Sequence, residues 1–540
     1  MKTVKGISAC KGIAIGKVFY HKKVRIEIPD TPAQNPDNEW KRFQSAAEQA
    51  DKHLEGLYSR ALESVGSAEA EIFDMHRLMI SDDDFIDVLR AKIIDNRMNA
   101  LKAVQETGVE FAAFFEALND EYMQARAVDV RDVSGLLLEV LAGVVSSEKL
   151  ESPSIVMADE LTPSETVQMD KKNILAFVTR GGSSSSHTAI LARTMGIPSI
   201  VQADFRLDGS TSEMLAAVDG FEGICYLEPD EATLLRLMGK KGAEDAFKRE
   251  CESMRGLPSI TKGGKTVKVY ANIGNIEDIS LVLQNDAEGI GLFRSEFLYL
   301  GRNAPPDEEA QFAVYKNVAE KMGGRKVIIR TMDIGADKQA EYLGVAAEEN
   351  PALGYRAIRI SLDRPDLFQP QLRAICRASA YGNISIMFPM VSSLWEVIEC
   401  KKALQAARDS LKAQNIPYGE MEVGIMIETP ASVILRDELA KEVDFFSVGT
   451  NDLAQYTLAV DRQNQRLERY ADPYHPAVLE MLRLIAESAK NNGIWAGICG
   501  ELAGVLALTE KFIEMGYNEL SVAPPLVLPL RRAIRESSAC

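Results

Sequence analysis

Only five histidines occur in the 540 residues. One of them, His187, stands in a stretch suited to an anion: Gly181-Gly182-Ser183-Ser184-Ser185-Ser186-His187-Thr188-Ala189-Ile190-Leu191-Ala192-Arg193-Thr194-Met195-Gly196-Ile197-Pro198. The pattern predicts a strand, a small-residue loop and a short helix stopped by Gly196 and Pro198, with His187 in its first turn. Small residues let backbone N–H groups approach a bound anion, and the helix N-terminus adds positive potential. A neutral imidazole there can attack phosphorus, and the same donors would then hold the phosphoryl oxygens. A capped helix bearing a surface histidine fits the same string.

A second set of chemically loaded residues lies in the C-terminal half. Glu428 and Asp452 are hard oxygen ligands able to share one Mg²⁺ while leaving positions for substrate oxygens. Arg294, Arg330 and Arg462 offer planar donors for phosphate and carboxylate. Taken singly, each arginine is more often a surface ion pair, and Cys499 is more often a buried core thiol. The combination is what suggests a site. Two other motifs fail. Lys262-Gly263-Gly264-Lys265-Thr266 resembles the end of a phosphate-binding loop, but Ser259 stands where its first glycine belongs and the segment precedes a strand. Gly289-Ile290-Gly291 lacks the third glycine of a dinucleotide fingerprint.

The elements that must position these residues show three textures. Residues 1–20 are β-branched and aromatic and read as strands. From about residue 38 to 143 the apolar spacing is helical, as in Trp40, Phe43, Ala47, Ala50, Leu54 and Leu57, and a bundle of antiparallel helices is expected. Strand-like runs return at Ser154–Ala158 and Ile174–Val178, so a βαβ-type layer is expected over about 148–228, completed by residues 1–20. Residues 230–256 predict a connecting helix broken near Lys240-Lys241-Gly242. Beyond it come eight short apolar runs, beginning at Lys268, Gly289, Val327, Ile384, Glu422, Asp444, Ile494 and Glu519, with helical patterns between them. That rhythm over roughly 280 residues predicts a TIM barrel, with an open doubly wound sheet as the alternative. In a barrel, chemistry sits at the C-terminal strand ends, where Arg294, Arg330, Glu428, Asn451, Asp452 and Cys499 all fall.

Composition removes several function classes. With 46% apolar and 26% charged residues the chain is globular, and at this length it is expected to form several domains. Its net charge of −18 argues against nucleic-acid or anionic-membrane binding. No apolar run spans a membrane, so no membrane insertion is expected, and the start lacks the apolar core of a signal peptide. Seven scattered cysteines without a Cys-x-x-Cys pair suit free thiols, hence a cytoplasmic location. Asp82-Asp83-Asp84 reads as a solvated helix end or turn.

Several longer segments carry a resemblance to a known family. They include Asp159-Glu160-Leu161-Thr162-Pro163-Ser164-Glu165-Thr166, Gly289 through Leu298, Arg330 through Lys338, Asn350 through Arg359, Gly424 through Pro430, Gly449 through Tyr456, and Cys499 through Ala503. With the His187 segment, these resemble the phosphoenolpyruvate-protein phosphotransferases, the Enzyme I family of the bacterial sugar phosphotransferase system, over nearly the whole chain. The resemblance implies a multidomain α/β fold: a swivelling α/β phosphohistidine domain (1–20 plus 148–228), an inserted helical bundle that binds the carrier (21–147), a linker helix (229–258) and a C-terminal TIM (β/α)8 barrel (259–540). It implies that His187 accepts the phosphoryl group of phosphoenolpyruvate, with Thr166 nearby, and passes it to a histidine-containing phosphocarrier protein. Arg294, Arg330, Asn451, Asp452, Arg462 and Lys338 match substrate-binding positions. Glu428 and Asp452 match Mg²⁺ ligands, and Cys499 matches the proton donor. A homodimer through the barrel is implied as well.

The sequence departs from the family around His187. The usual Gly-Gly-Arg-Thr-Ser-His is replaced by Gly182-Ser183-Ser184-Ser185-Ser186-His187, with Arg180 where an acidic residue is common and Gln202-Ala203 where Gly-Thr is usual. A pyruvate phosphate dikinase would need a further nucleotide-binding domain that about 120 helical residues cannot supply. A regulatory phosphoprotein without turnover is the alternative of a different class.

Overall fold

The computed structural model describes all residues except 23–25, 65–66, 118–120, 145–149, 183–185, 206–211, 301, 336–340, 347 and 463. The chain forms two compact units, Met1–Phe247 and Lys248–Cys540.

The first unit is built on a mixed sheet: β1 (Lys2–Lys5), β2 (Ile7–Cys10), β3 (Ile13–His21), β4 (Ser154–Ala158), β5 (Ile174–Thr179), β6 (Ser199–Val201), β7 (Leu215–Asp219) and β8 (Ile224–Leu227). Their order is β1-β8-β7-β3-β4-β5-β6-β2. The parallel centre runs β3-β4-β5-β6, with antiparallel partners on both sides. Every residue of β4 is buried. Ile155 and Met157 pack into one core while Val156 and Ala158 pack into another, the two-sided burial typical of a central parallel strand.

Among the described residues, five α-helices intervene between the parallel neighbours β3 and β4: Pro36–Ser64, Ser67–Ile80, Asp83–Arg90, Ala100–Glu116 and Glu121–Ala142. Phe43, Ala50, Leu54 and Leu57, at helical spacing, are buried with Phe73, Leu89, Val104 and Leu137 in one core. Asp82 caps its helix by accepting the Phe85 N–H at 3.1 Å. The bundle is tied to the sheet layer through Asp132, which accepts the Ser164 hydroxyl at 3.0 Å and the Ser164 N–H at 3.4 Å.

Helix Glu231–Glu252 runs unbroken through Gly239 and Gly242, against the break expected near Lys240-Lys241-Gly242. Lys240 anchors it, pairing at 2.8 Å with the fully buried Asp219 at the end of β7. A glycine inside a helix costs only about 1 kcal/mol, which such an anchor offsets.

The second unit closes eight parallel strands into a barrel: β9 (Lys268–Ile273), β10 (Gly289–Arg294), β11 (Lys326–Arg330), β12 (Ile384–Phe388), β13 (Val423–Ile427), β14 (Phe445–Val448), β15 (Trp495–Ile498) and β16 (Glu519–Val522). The eight expected runs became these strands, and β16 pairs with β9 to complete the closure. An open sheet is thereby excluded. Tyr270, Leu292, Ile328, Met387, Met426 and Phe445 form an inner cluster, while Ile290, Phe293, Val327 and Ile329 pack into the outer core. That alternation is the signature of a filled barrel rather than a pore. Among the described residues no helix is long and apolar enough to cross a membrane. All seven cysteines are free.

Candidate active site

The C-terminal strand ends carry the charged residues, as the barrel reading expects. Arg294 and Arg330 end β10 and β11, Glu428 follows β13, and Cys499 follows β15. Asn451 and Asp452 open the helix Thr450–Leu458 after β14. Together with Arg462, all of these line one cavity of about 700 Å³. Lys338 and Ser183 to Ser185 lie outside the described residues.

Glu428 is fully buried, and its Oε1 accepts the Met390 N–H at 2.6 Å. Met390 donates from a left-handed backbone at φ 56°, a conformation that non-glycine residues seldom adopt. Oε2 of Glu428 and Oδ1 of Asp452 are both buried without a hydrogen-bond partner. A methyl group at Gly449 would fall 2.8 Å from Glu428 Oε2, so the glycine leaves room beside that oxygen. Burial, reinforced by the charges of Asp452 and Asp333, pushes the Glu428 carboxyl up to about 8. Two buried carboxylate oxygens left without partners are costly unless a cation satisfies them, so this donor pair fits a hard divalent ion. Among the described residues there is no group of three or more His, Cys, Asp or Glu that could hold a metal.

The arginines differ in their settings. Arg294 is exposed at the mouth. Arg330 is buried, with its guanidinium bonded to Glu296 and 3.0 Å from Asp333. Burial alone would weaken its charge, but Glu296 and Asp333 outweigh it and hold the guanidinium firmly protonated. Asp333 also takes Arg356 at 2.8 Å, and Arg356 donates to the Tyr456 hydroxyl at 3.3 Å. Arg462 stands 3.9 Å from Asp452. Glu296, Asp333 and Arg356 line the same cavity. They were not singled out from the sequence, although each is a charged residue inside a motif whose neighbours are apolar or small.

Cys499 is buried, and its thiol lies 3.6 Å from the Val448 carbonyl. Burial pushes the thiol up to about 12, with the Ser447 hydroxyl pulling the other way. It therefore carries its proton at neutral pH. The Glu501 N–H donates to Asn451 Oδ1 at 3.1 Å, which fixes the Asn451 side chain at the cavity edge.

In the first unit, β5 leads through the serine loop into the helix His187–Met195, closed by Gly196 at φ 65°. His187 is its first residue, and Ser186 precedes it with extended backbone. The Ser186 hydroxyl is buried without a hydrogen-bond partner. Thr188 Oγ1 donates to the Leu161 carbonyl at 3.1 Å, which ties this helix to the segment leading into helix Pro163–Gln168. Thr166 lies on that helix, and its hydroxyl donates to the Thr162 and Pro163 carbonyls at 3.1 and 2.9 Å.

Three family models match the chain in series: the N-terminal domain of PEP-utilising enzymes over residues 5–126, their mobile domain over 150–223, and their PEP-binding domain over 248–539. A phosphoenolpyruvate-protein phosphotransferase of Priestia megaterium is 40% identical over 541 residues, covering 99% of this chain and 94% of the relative. One of Bacillus subtilis (strain 168) is 39% identical over 546 residues, covering 100% and 95%. The chain belongs to the phosphoenolpyruvate-protein phosphotransferase family. Members of that family are transferases that draw on phosphoenolpyruvate, and the PEP-binding match covers the whole barrel that holds the cavity. A solution structure described as Enzyme I is 36% identical, with a TM-score of 0.39, covering 45% of this chain and 99% of that one.

Proposed function

We propose that phosphoenolpyruvate binds in the barrel cavity, that His187 takes its phosphoryl group, and that the resulting phosphohistidine passes it to a histidine of a histidine-containing phosphocarrier protein. The observation that carries the reading is the convergence of three arginines, two partnerless carboxylate oxygens and a protonated thiol on a single cavity.

Arg294, Arg330 and Arg462 neutralise the phosphate and carboxylate of the substrate, and Asn451 donates to it. Asp333 and Glu296 hold the Arg330 guanidinium at the cavity wall. Glu428 and Asp452 would hold Mg²⁺, and the bound ion would supply charge neutralisation for the anionic substrate. An imidazole nitrogen of His187 forms a bond to phosphorus as the P–O bond to the enol oxygen breaks. The electron pair leaves with enolpyruvate, and its C3 takes the proton of the Cys499 thiol to give pyruvate. A thiol held up to about 12 remains protonated until a carbon base is in reach. His187 and the cavity belong to different compact units, so the reaction requires the two to meet.

The same reading assigns the phosphohistidine domain to 1–20 with 148–228, carrier binding to the helices of 21–147, the link to 229–258, and substrate binding and homodimer formation to 259–540. Thr166 supports the phosphohistidine, Lys338 adds charge to the substrate site, and the protein works in the cytoplasm.

The test is to incubate the protein with phosphorus-labelled phosphoenolpyruvate and Mg²⁺ and to map the label. Acid-labile, base-stable label on His187, absent from His187→Ala, is the expected result. A requirement for ATP, or label on another residue, overturns the reading.

A further inference from the structure

Glu519 opens β16, and its side chain enters the barrel interior. It is 2% exposed, and neither carboxyl oxygen has a hydrogen-bond partner. Two glycines make room for it. A methyl group at Gly291 would fall 2.6 Å from Glu519 Oε1, and one at Gly497 would overlap Oε2. Gly497 pairs in register with Glu519 on one side and with Ser447 on the other, and Cys499 stands two residues further along the chain, just beyond β15. The Ser447 hydroxyl bears on the Cys499 thiol and is itself buried without a hydrogen-bond partner. Glu519 also bears electrostatically on Cys499 and on Tyr270. At the N-terminal end of the barrel, where Glu519 also lies, Lys326 pairs with Glu422 at 2.6 Å, and Trp495 Nε1 donates to Glu422 at 3.3 Å.

The groups coupled to the carboxyl are thus Tyr270 of β9, Lys326 of β11 and Cys499 beyond β15, and Glu422, just before β13, faces Lys326 and Tyr270. Lys326 is the opposing positive charge, and burial outweighs it, so Glu519 carries a proton well above the usual carboxylate range. A partnerless carboxyl deep in a packed barrel is expensive to keep, and such groups cluster where protons are handled.

Each turnover leaves Cys499 as a thiolate that must regain a proton. We propose that Glu519 is the internal proton donor that restores the Cys499 thiol. This rests on Cys499 being the donor to carbon. Side-chain rotation would bring the partnerless Glu519 carboxyl and Ser447 hydroxyl into contact; the Glu519 O–H bond then breaks, the Ser447 hydroxyl accepts that proton and releases its own to Sγ, and the S–H bond re-forms. The Glu519 carboxylate then recovers a proton from the Lys326 ammonium, which is replenished from water at the N-terminal end of the barrel.

The test uses the full chain with Mg²⁺, phosphoenolpyruvate and carbon-labelled pyruvate in deuterated water. Exchange of labelled carbon into phosphoenolpyruvate needs no relay, because the reverse reaction returns the pyruvate proton to the same thiolate. Entry of solvent deuterium at C3 requires the thiol to be reloaded from outside. Glu519→Gln keeps the shape and neutrality of the side chain but cannot pass a proton. It should leave carbon exchange near wild type and lower deuterium entry per carbon exchanged by roughly tenfold or more. The ratio is read per event, so a misfolded fraction does not enter it. An unchanged ratio overturns the relay, because the thiolate then meets solvent directly. A proportional loss of both signals also overturns it, by assigning Glu519 a purely structural role. Cys499→Ala separates the two levels: wild-type carbon exchange there sinks the Cys499 reading itself, whereas its loss beside an unchanged Glu519→Gln ratio sinks only the relay.

Discussion

Divalent-cation binding should be strongly pH-dependent, because Glu428 must lose a proton to become a ligand. The perturbation is pH itself. With the carboxyl pushed up to about 8 by burial and by Asp452, it is mostly protonated at neutral pH. At pH 7 about nine-tenths of the sites hold that proton, so each bound cation should release about 0.9 proton. Apparent affinity should be about tenfold weaker at pH 7 than on its alkaline plateau, and about a hundredfold weaker at pH 6. Stability of the cation-free protein should move the opposite way. The folded value lies above the free carboxyl's 4.5, so the stabilisation by the neutral form is complete below about pH 4.5 and is lost as pH rises through about 8. Added cation should restore it at pH 8. Calorimetric titration with Mn²⁺, in two buffers of different ionisation enthalpy, measures both affinity and proton release. An affinity flat between pH 6 and 8.5, with no proton released, would refute the placing of Glu428 as a buried ligand. Glu428→Gln should remove the high-affinity site.

Arg330→Lys should lower kcat/KM for phosphoenolpyruvate by roughly 10²–10³-fold, because a point charge cannot satisfy Glu296, Asp333 and a substrate oxygen together; steady-state kinetics with a thermal-melt control checks it, and a loss below threefold would remove Arg330 from the site. Cys499→Ala should slow pyruvate formation by roughly 10²-fold or more while leaving phosphoenolpyruvate affinity within a few-fold, which rapid-quench and calorimetric measurements separate. Asp132→Ala should destabilise the first unit by about 1–3 kcal/mol, since it strips the acceptor from both the Ser164 N–H and the Ser164 hydroxyl. Denaturant melts of the full chain should show that loss in the transition that includes the helical bundle, with the barrel's transition unmoved.

The barrel was legible in the sequence because parallel strands buried on both faces read as short apolar runs, and because a polar residue ends or follows several of them. His187 was legible because the order strand, small-residue loop, helix is local. The helical bundle likewise declared itself through three- and four-residue spacing that buries Phe43, Ala50 and Leu54 together.

Which carboxylate oxygens stand without partners was not legible, because hydrogen-bond satisfaction depends on residues distant in the chain, such as Met390 for Glu428. The ion network around Arg330 joins its near neighbour Asp333 to Glu296 and Arg356, which come from separate segments, so no spacing rule links the whole set. The antiparallel flanks of the first sheet, and the uninterrupted helix through Gly239 and Gly242, followed from pairing and anchoring rather than from propensity. Glu519 shows the division most sharply. In the sequence it is one acidic residue at the start of a strand. Only closure of the barrel, with Gly291 and Gly497 leaving space across the interior, turns it into a partnerless buried carboxyl near the Cys499 thiol. Local patterning determined the elements and the chemistry they carry, and strand register and burial decided which groups meet, because both are properties of residues far apart in the chain.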